Sequence, residues 1–166
     1  MRVNNLNSAH ARCMGRGSRS LWLGLAIIMI VLAPAARAEL GGNVSSIQAD
    51  QERMKGTVRV TSTMQFTVHE IQTPNGTVVR EFVSPAGMVF GVAWQGPWMP
   101  DLRQLLGTYF EQFVKAAQQS KGRGRGPLSI QENGLVVETG GHARSFFGRA
   151  YLVPMMPPSV RAEAIQ

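Results

Sequence analysis

The chain has 166 residues, with 17 Lys or Arg against 10 Asp or Glu and a formal charge of +7. Most of that excess sits early, because the first 38 residues hold five basic and no acidic side chains, leaving twelve basic against ten acidic and a balance of +2 for the rest. A disulfide framework is excluded for that remainder, whose sequence has no cysteine, and a near-neutral balance argues against nucleic acid as a partner.

Arg2, Arg12, Arg16 and Arg19 precede an apolar run from Leu21 to Ala33, which Pro34 ends before the small-x-small site Ala36-Arg37-Ala38. This pattern predicts a secretory signal peptide over 1–38, cut between Ala38 and Glu39. The apolar run is short of the roughly 20 residues a spanning helix needs. No paired arginines precede it, Cys13 is far from the cut, and Met14 is an alternative start. The expectation is export across the inner membrane by the general secretory route to the periplasm or exterior, with membrane contact only during export.

Residues 39–56 show no sustained period and read as a loosely held arm. From Thr57, apolar and polar residues alternate through Val68, predicting one long strand or two separated near Ser62. Pro74-Asn75-Gly76-Thr77 predicts a tight hairpin into a strand over 77–84. Pro85-Ala86-Gly87 turns the chain into another strand, 88–95, whose large residues Met88, Phe90, Val92 and Trp94 are expected on the face that meets a helix. That helix is predicted to begin near Pro100, with Leu102, Leu105, Leu106, Tyr109, Phe110, Phe113, Val114 and Ala117 as its apolar stripe. Further strands are expected over 128–131, 135–139 and 143–153, with turns at Glu132-Asn133-Gly134 and Gly140-Gly141. The proline-rich end, 154–166, is predicted to run extended over the surface. The fold class is therefore α+β: one domain over 57–153, an antiparallel sheet of about six strands with one amphipathic helix on a face.

Catalytic constellations are not legible. His69 and His142 have no second ligand at a metal-binding spacing, and the serines lack a nucleophile elbow. No catalytic residue, cofactor or metal is expected. Two segments stand out for recognition. Lys121, Arg123 and Arg125, spaced by glycines, form a possible patch for an anionic polymer, although a solvated loop ending the helix explains them as well. Trp94-Gln95-Gly96-Pro97-Trp98 turns from strand to helix with two tryptophans four residues apart. Trp94 suits packing under the helix and Trp98 suits a partly exposed clasp. The candidate ligand or partner surface comprises Trp98 and Trp94 with Arg80, Glu81, Asp101 and His142 as neighbours; Arg80 and Glu81 must point to opposite faces of their strand.

The start Glu39-Leu40-Gly41-Gly42, the stretch from Asn75 to Ser84, the run from Gly87 to Pro97 with Pro100-Asp101-Leu102 and Leu105 to Phe110, and Gly140-Gly141-His142 with Phe146 to Tyr151 together resemble the short secreted bacterial proteins of domain-of-unknown-function family 2844. The resemblance covers nearly the whole chain after residue 38. It implies a signal peptide and one domain, and no assigned activity. Three functions fit these observations: a non-enzymatic periplasmic or extracellular module that binds an envelope or extracellular protein or polymer, a hydrolase of such a polymer using carboxylates such as Glu81 and Asp101, and an accessory subunit that pairs through a sheet edge.

Overall fold

The computed structural model describes residues 39–120 and 127–166. The predicted signal peptide and the Lys121, Arg123 and Arg125 patch lie outside them. No helix among the described residues is long and apolar enough to cross a membrane.

Seven strands form one sheet: β1 (Thr57–Ser62), β2 (Thr67–Gln72), β3 (Val78–Val83), β4 (Val89–Gly96), β5 (Leu128–Glu132), β6 (Leu135–His142) and β7 (Ser145–Leu152). Their order is β1-β2-β3-β4-β7-β6-β5, and every neighbouring pair is antiparallel. The seventh strand arises because the long alternating run breaks in two. Thr63 accepts from the Gln65 and Phe66 amides and donates to the Phe66 carbonyl, closing a turn between β1 and β2. The Asn75-Gly76 hairpin stands where expected, with Gly76 at φ 87°.

Gly140-Gly141, predicted as a turn, lies instead inside β6, and the chain reverses at Ala143-Arg144. The Phe147 ring packs on Gly140, so a side chain there would have to displace it, and a β-carbon at Gly141 would collide with the Ser145 carbonyl. Those glycines therefore serve close approach within the hairpin.

Three helical pieces and a short turn lie around the sheet's inner face. Residues 39–56 are not a loose arm: α1 (Val44–Met54) follows an N-cap in which Asn43 Oδ1 accepts from the Ser45 amide at 3.0 Å, and Lys55 closes it in a left-handed conformation. The predicted helix after Pro100 is α2 (Leu102–Leu106), a 3-10 turn (Gly107–Tyr109) and α3 (Phe110–Gln119). The cause of the break is tertiary. The Leu40 amide donates to the Leu105 carbonyl at 3.0 Å, and Glu39 packs on Gly107 where any β-carbon would collide. Gly107 also has φ 52°, a region costly for other residues.

Leu105, Leu106, Phe113 and Ala116 bury against Ile71, Val79, Val92, Val137 and Ala150, forming the main core. Phe110 is only half-buried. Strand β4 corrects the predicted facing. A bulge at Phe90, opposite the step from Phe82 to Val83, shifts the alternation, so Val89, Val92 and Trp94 face the helices. Phe90 and Ala93 face the other way, where Gly91 leaves space for Ile165.

The last residues are not merely extended. Two 3-10 turns, Val153–Met155 and Ala162–Ala164, carry the chain over the outer face, burying Val160 and Ile165 against Phe82, Phe90 and Tyr151. Phe66 covers part of Phe82 and Phe90 as well, and burying these rings offsets the cost of ordering the segment.

Candidate functional site: the outer sheet face and its two ends

Cross-strand register places one row of outward side chains across all seven strands: Arg59, Glu70, Arg80, Ala93, Arg149, Glu138 and Ser129. Directly opposed residues on antiparallel strands share a face, so each glutamate of the row stands beside an arginine. Arg80 Nε meets Glu70 Oε2 at 2.7 Å, and Arg149 Nε meets Glu138 Oε2 at 2.6 Å. Arg149 also donates from Nη1 to the Ala162 carbonyl at 2.8 Å, so it fastens the C-terminal segment as well. Ala93 separates the two arginines with the smallest side chain of the row.

A groove of about 600 Å³ lies over this row. Arg80, Ala93, Arg149, Glu138 and Ser129 form its floor, with Phe147 and Pro127 on one side and Ile165 and Gln166 on the other. Phe147 is 51% exposed, high for a phenylalanine inside a strand. Arg80 forms no hydrogen bond from its Nη atoms among the described residues, leaving those donors open to the groove. The arrangement can hold a negative group between two guanidiniums while an apolar or ring face lies on Phe147.

Of the residues singled out from sequence, Arg80 and Trp94 line this groove. Trp94 is buried at 2% exposure, and its ring lies so close over Gly148 on the helix side that a side chain at 148 would collide with it. Its ring belongs to the core, although the residue also borders the groove where β4 passes beneath it. Trp98 is 58% exposed. Its backbone is fixed, since the Thr77 hydroxyl donates to its carbonyl at 2.9 Å and accepts from its amide at 3.3 Å. Asp101 caps α2, its Oδ1 accepting from the Arg103 amide at 2.9 Å and the Gln104 amide at 3.3 Å. His142 is exposed at the β6–β7 turn.

The register brings some of these together. Gly96 pairs with Phe146 and His142 with Ser145, and Gly76 packs on Pro97, so Trp98, His142 and the groove lie at one end of the sheet. Neither Trp98 nor His142 lines the groove. At the same end a smaller cleft of about 390 Å³ includes Arg53, Thr73, Asn75, Met99, Asp101 and Gln104. Sequence reasoning did not single out Phe147, Arg149 or Glu138. Their signal was present in the alternation of Phe147 and Arg149 on one strand, but it needs the register of β6 and β4 to acquire meaning.

Glu81 corrects the predicted surface most sharply. It is 1% exposed and faces the helices, beside Asp50 of α1, which is 0% exposed. The two carboxyls interact directly, and Gln104 Nε2 donates to Asp50 Oδ1 at 2.5 Å. Asp50 Oδ2 and Glu81 Oε2 have no protein donor. Two carboxylates cannot bond to each other without a proton between them. Burial, followed by the charge of Asp50, pushes Glu81 up to about 8; burial raises Asp50 to about 6, although Gln104 opposes it. Glu81 and Asp101 do not face one cleft. The described residues contain no group of three or more side chains that could hold a metal.

The molecule is thus a single antiparallel sheet with helices on one face and a grooved, charged second face. The family model for Protein of unknown function (DUF2844) matches residues 36–165, and the chain belongs to that family. No curated protein and no solved structure gives a match.

Proposed function

We propose that the protein is an exported, non-enzymatic binding or assembly module, acting in the periplasm or outside the cell, whose ligand lies in the groove over Arg80, Ala93 and Arg149. The observation that carries this reading is the pairing of a half-exposed phenylalanine with two arginines across an alanine, on a face that the C-terminal segment leaves partly open. The ligand that suits it is an extended envelope protein or polymer bearing a negative group and an apolar or ring face. Trp98 and His142, at the same end of the sheet, are the second contact for a ligand longer than the groove. The hydrolase reading has less support, because the carboxylate in the groove, Glu138, is held by Arg149.

The test is retention of the tagged protein on envelope isolated from the producing cells. Phe147→Ala and Arg80→Ala should each release more than half of it with unchanged thermal stability, and added salt should weaken wild-type retention. Equal retention of wild type and both variants contradicts the groove as the site.

The accessory-subunit reading has one observation of its own. Edge strand β1 is exposed at five of its six residues and has neither proline nor bulge to blunt it. A strand of a partner would pair there, and deleting that pairing with Thr61→Pro would abolish association while leaving groove binding intact.

A further inference from the structure

The segment before β1 is attached unevenly. Residues 40–44 are pinned by main-chain hydrogen bonds: Leu40 to Leu105 at 3.0 Å, Gly41 to Val89 at 2.8 Å, Val89 to Gly42 at 2.8 Å and Val44 to Gly87 at 3.1 Å. At the other side, Thr57 enters the sheet opposite Gln72. Between those points no described main-chain hydrogen bond joins residues 45–56 to the rest of the protein. Helix α1 is therefore held by side chains alone: Ile47, Asp50 and Met54, one turn or so apart on the same face.

The middle contact of that stripe is the carboxyl pair. Asp50 and Glu81 come from different elements, both fully buried, and Gln104 of α2 is the one described side-chain donor to them. With one proton between them the pair is a hydrogen bond that ties helix to sheet. Without it, two negative charges meet in a dry site, where repulsion is weakly screened and two oxygens lack donors. We propose that the Asp50–Glu81 pair is a proton-operated latch: the shared proton docks α1, and its loss releases residues 45–56 from the inner face while the seven-stranded sheet stays folded.

The charged and titratable groups around the pair do not substitute for the proton. On α1 itself, Arg53 stabilises the Asp50 charge, but it lines the open cleft and lowers Asp50 less than burial raises it. Glu39, from the segment packed on Gly107, adds negative charge and works the other way. On β2, His69 is directly opposite Glu81, and burial lowers its basicity, so it is neutral where the latch opens. From α2, Gln104 donates to Asp50 and cannot neutralise a charge. Release uncovers the part of the core filled by Ile47, which makes a segment beside the second cleft available only above neutral pH. This goes beyond the groove reading and does not depend on it.

The experiment is amide hydrogen exchange on the purified protein, corrected for intrinsic rates, between about pH 7 and about pH 9.5, a window in which His69 stays neutral and the latch proton leaves. Wild-type amides over residues 48–54 should lose about tenfold or more of their protection, while those of β3 and β4 keep theirs. Glu81→Gln and Asp50→Asn each supply an amide donor in place of the proton, so either variant that folds should hold the helix docked across the window. Three results overturn the proposal: constant protection in wild type, the same loss in the amide variants, or loss spread equally over helix and sheet, which is global unfolding.

Discussion

Arg80 and Glu81 are neighbours in the chain and belong to opposite sides of the sheet. On the outer face, Glu70 and Glu138 are each held by an arginine and remain partly in water, with side-chain exposures of 35% and 40%. On the inner face, Glu81 and Asp50 have each other, an amide and no cation within the pair. The same functional group is thus an ordinary counter-charge on one face and a buried acid on the other. What separates them is one step of a period-two strand, which moves a carboxyl from solvent and guanidinium into a dry core.

The largest effect that sharpens the comparison is packing. Trp94→Ala on the inner face should cost about 3 to 5 kcal/mol in denaturant unfolding, because the ring fills the space over Gly148. Phe113→Ala should cost a similar amount, and Phe110→Ala clearly less, since Phe110 is only half-buried. Phe147→Ala, on the outer face, should stay within about 0.5 kcal/mol of wild type. If Phe147→Ala proves as damaging as Trp94→Ala, the groove wall is part of the core and the two faces do not differ as described.

Next comes pH. The folded-state values of both inner carboxyls are raised, so the unfolded chain gives up protons that the folded one keeps. Stability from the pair is fully present below about pH 4 and is lost as pH rises through about 6 for Asp50 and about 8 for Glu81. The slope should be on the order of 1 kcal/mol per pH unit for each proton retained. Glu81→Gln should remove most of it. Urea unfolding between these values checks the sign, and stability that rises with pH in this range would contradict the shared proton.

The smallest effect belongs to the outer pairs. Glu138→Gln should change stability by about 1 kcal/mol or less, and added salt should shrink the difference, because its ion pair with Arg149 is partly exposed.

How much of this was legible in the sequence follows the same division. Alternation marked the strands, Asn75-Gly76 marked a hairpin, and the stripe from Leu102 to Ala117 marked the long helical segment, because each signal is local. Helix α1 was missed because Asp50 stands where a helix facing a core should present an apolar residue; with Ile47, Asp50 and Met54 as its inward face, the 3.6-residue period disappears. Glu81 was read as a surface group for the same reason. A buried carboxyl pair breaks the hydrophobic pattern on both of its elements at once, and each is explained only by the other. The bulge at Phe90 was equally invisible, since the shift in facing depends on Gly91 making room for Ile165, 74 residues later. Trp98 was legible as an exposed corner residue, whereas the groove beside it required five strands, β3, β4, β7, β6 and β5, to be set in register.

The measurement that bears most directly on the account is a carboxyl-carbon NMR titration of Glu81 and Asp50 in the folded protein. Glu81 is expected to keep its proton at neutral pH and lose it near 8, with Asp50 responding in the same transition. An ionised Glu81 at neutral pH, with the helix still docked, would contradict it.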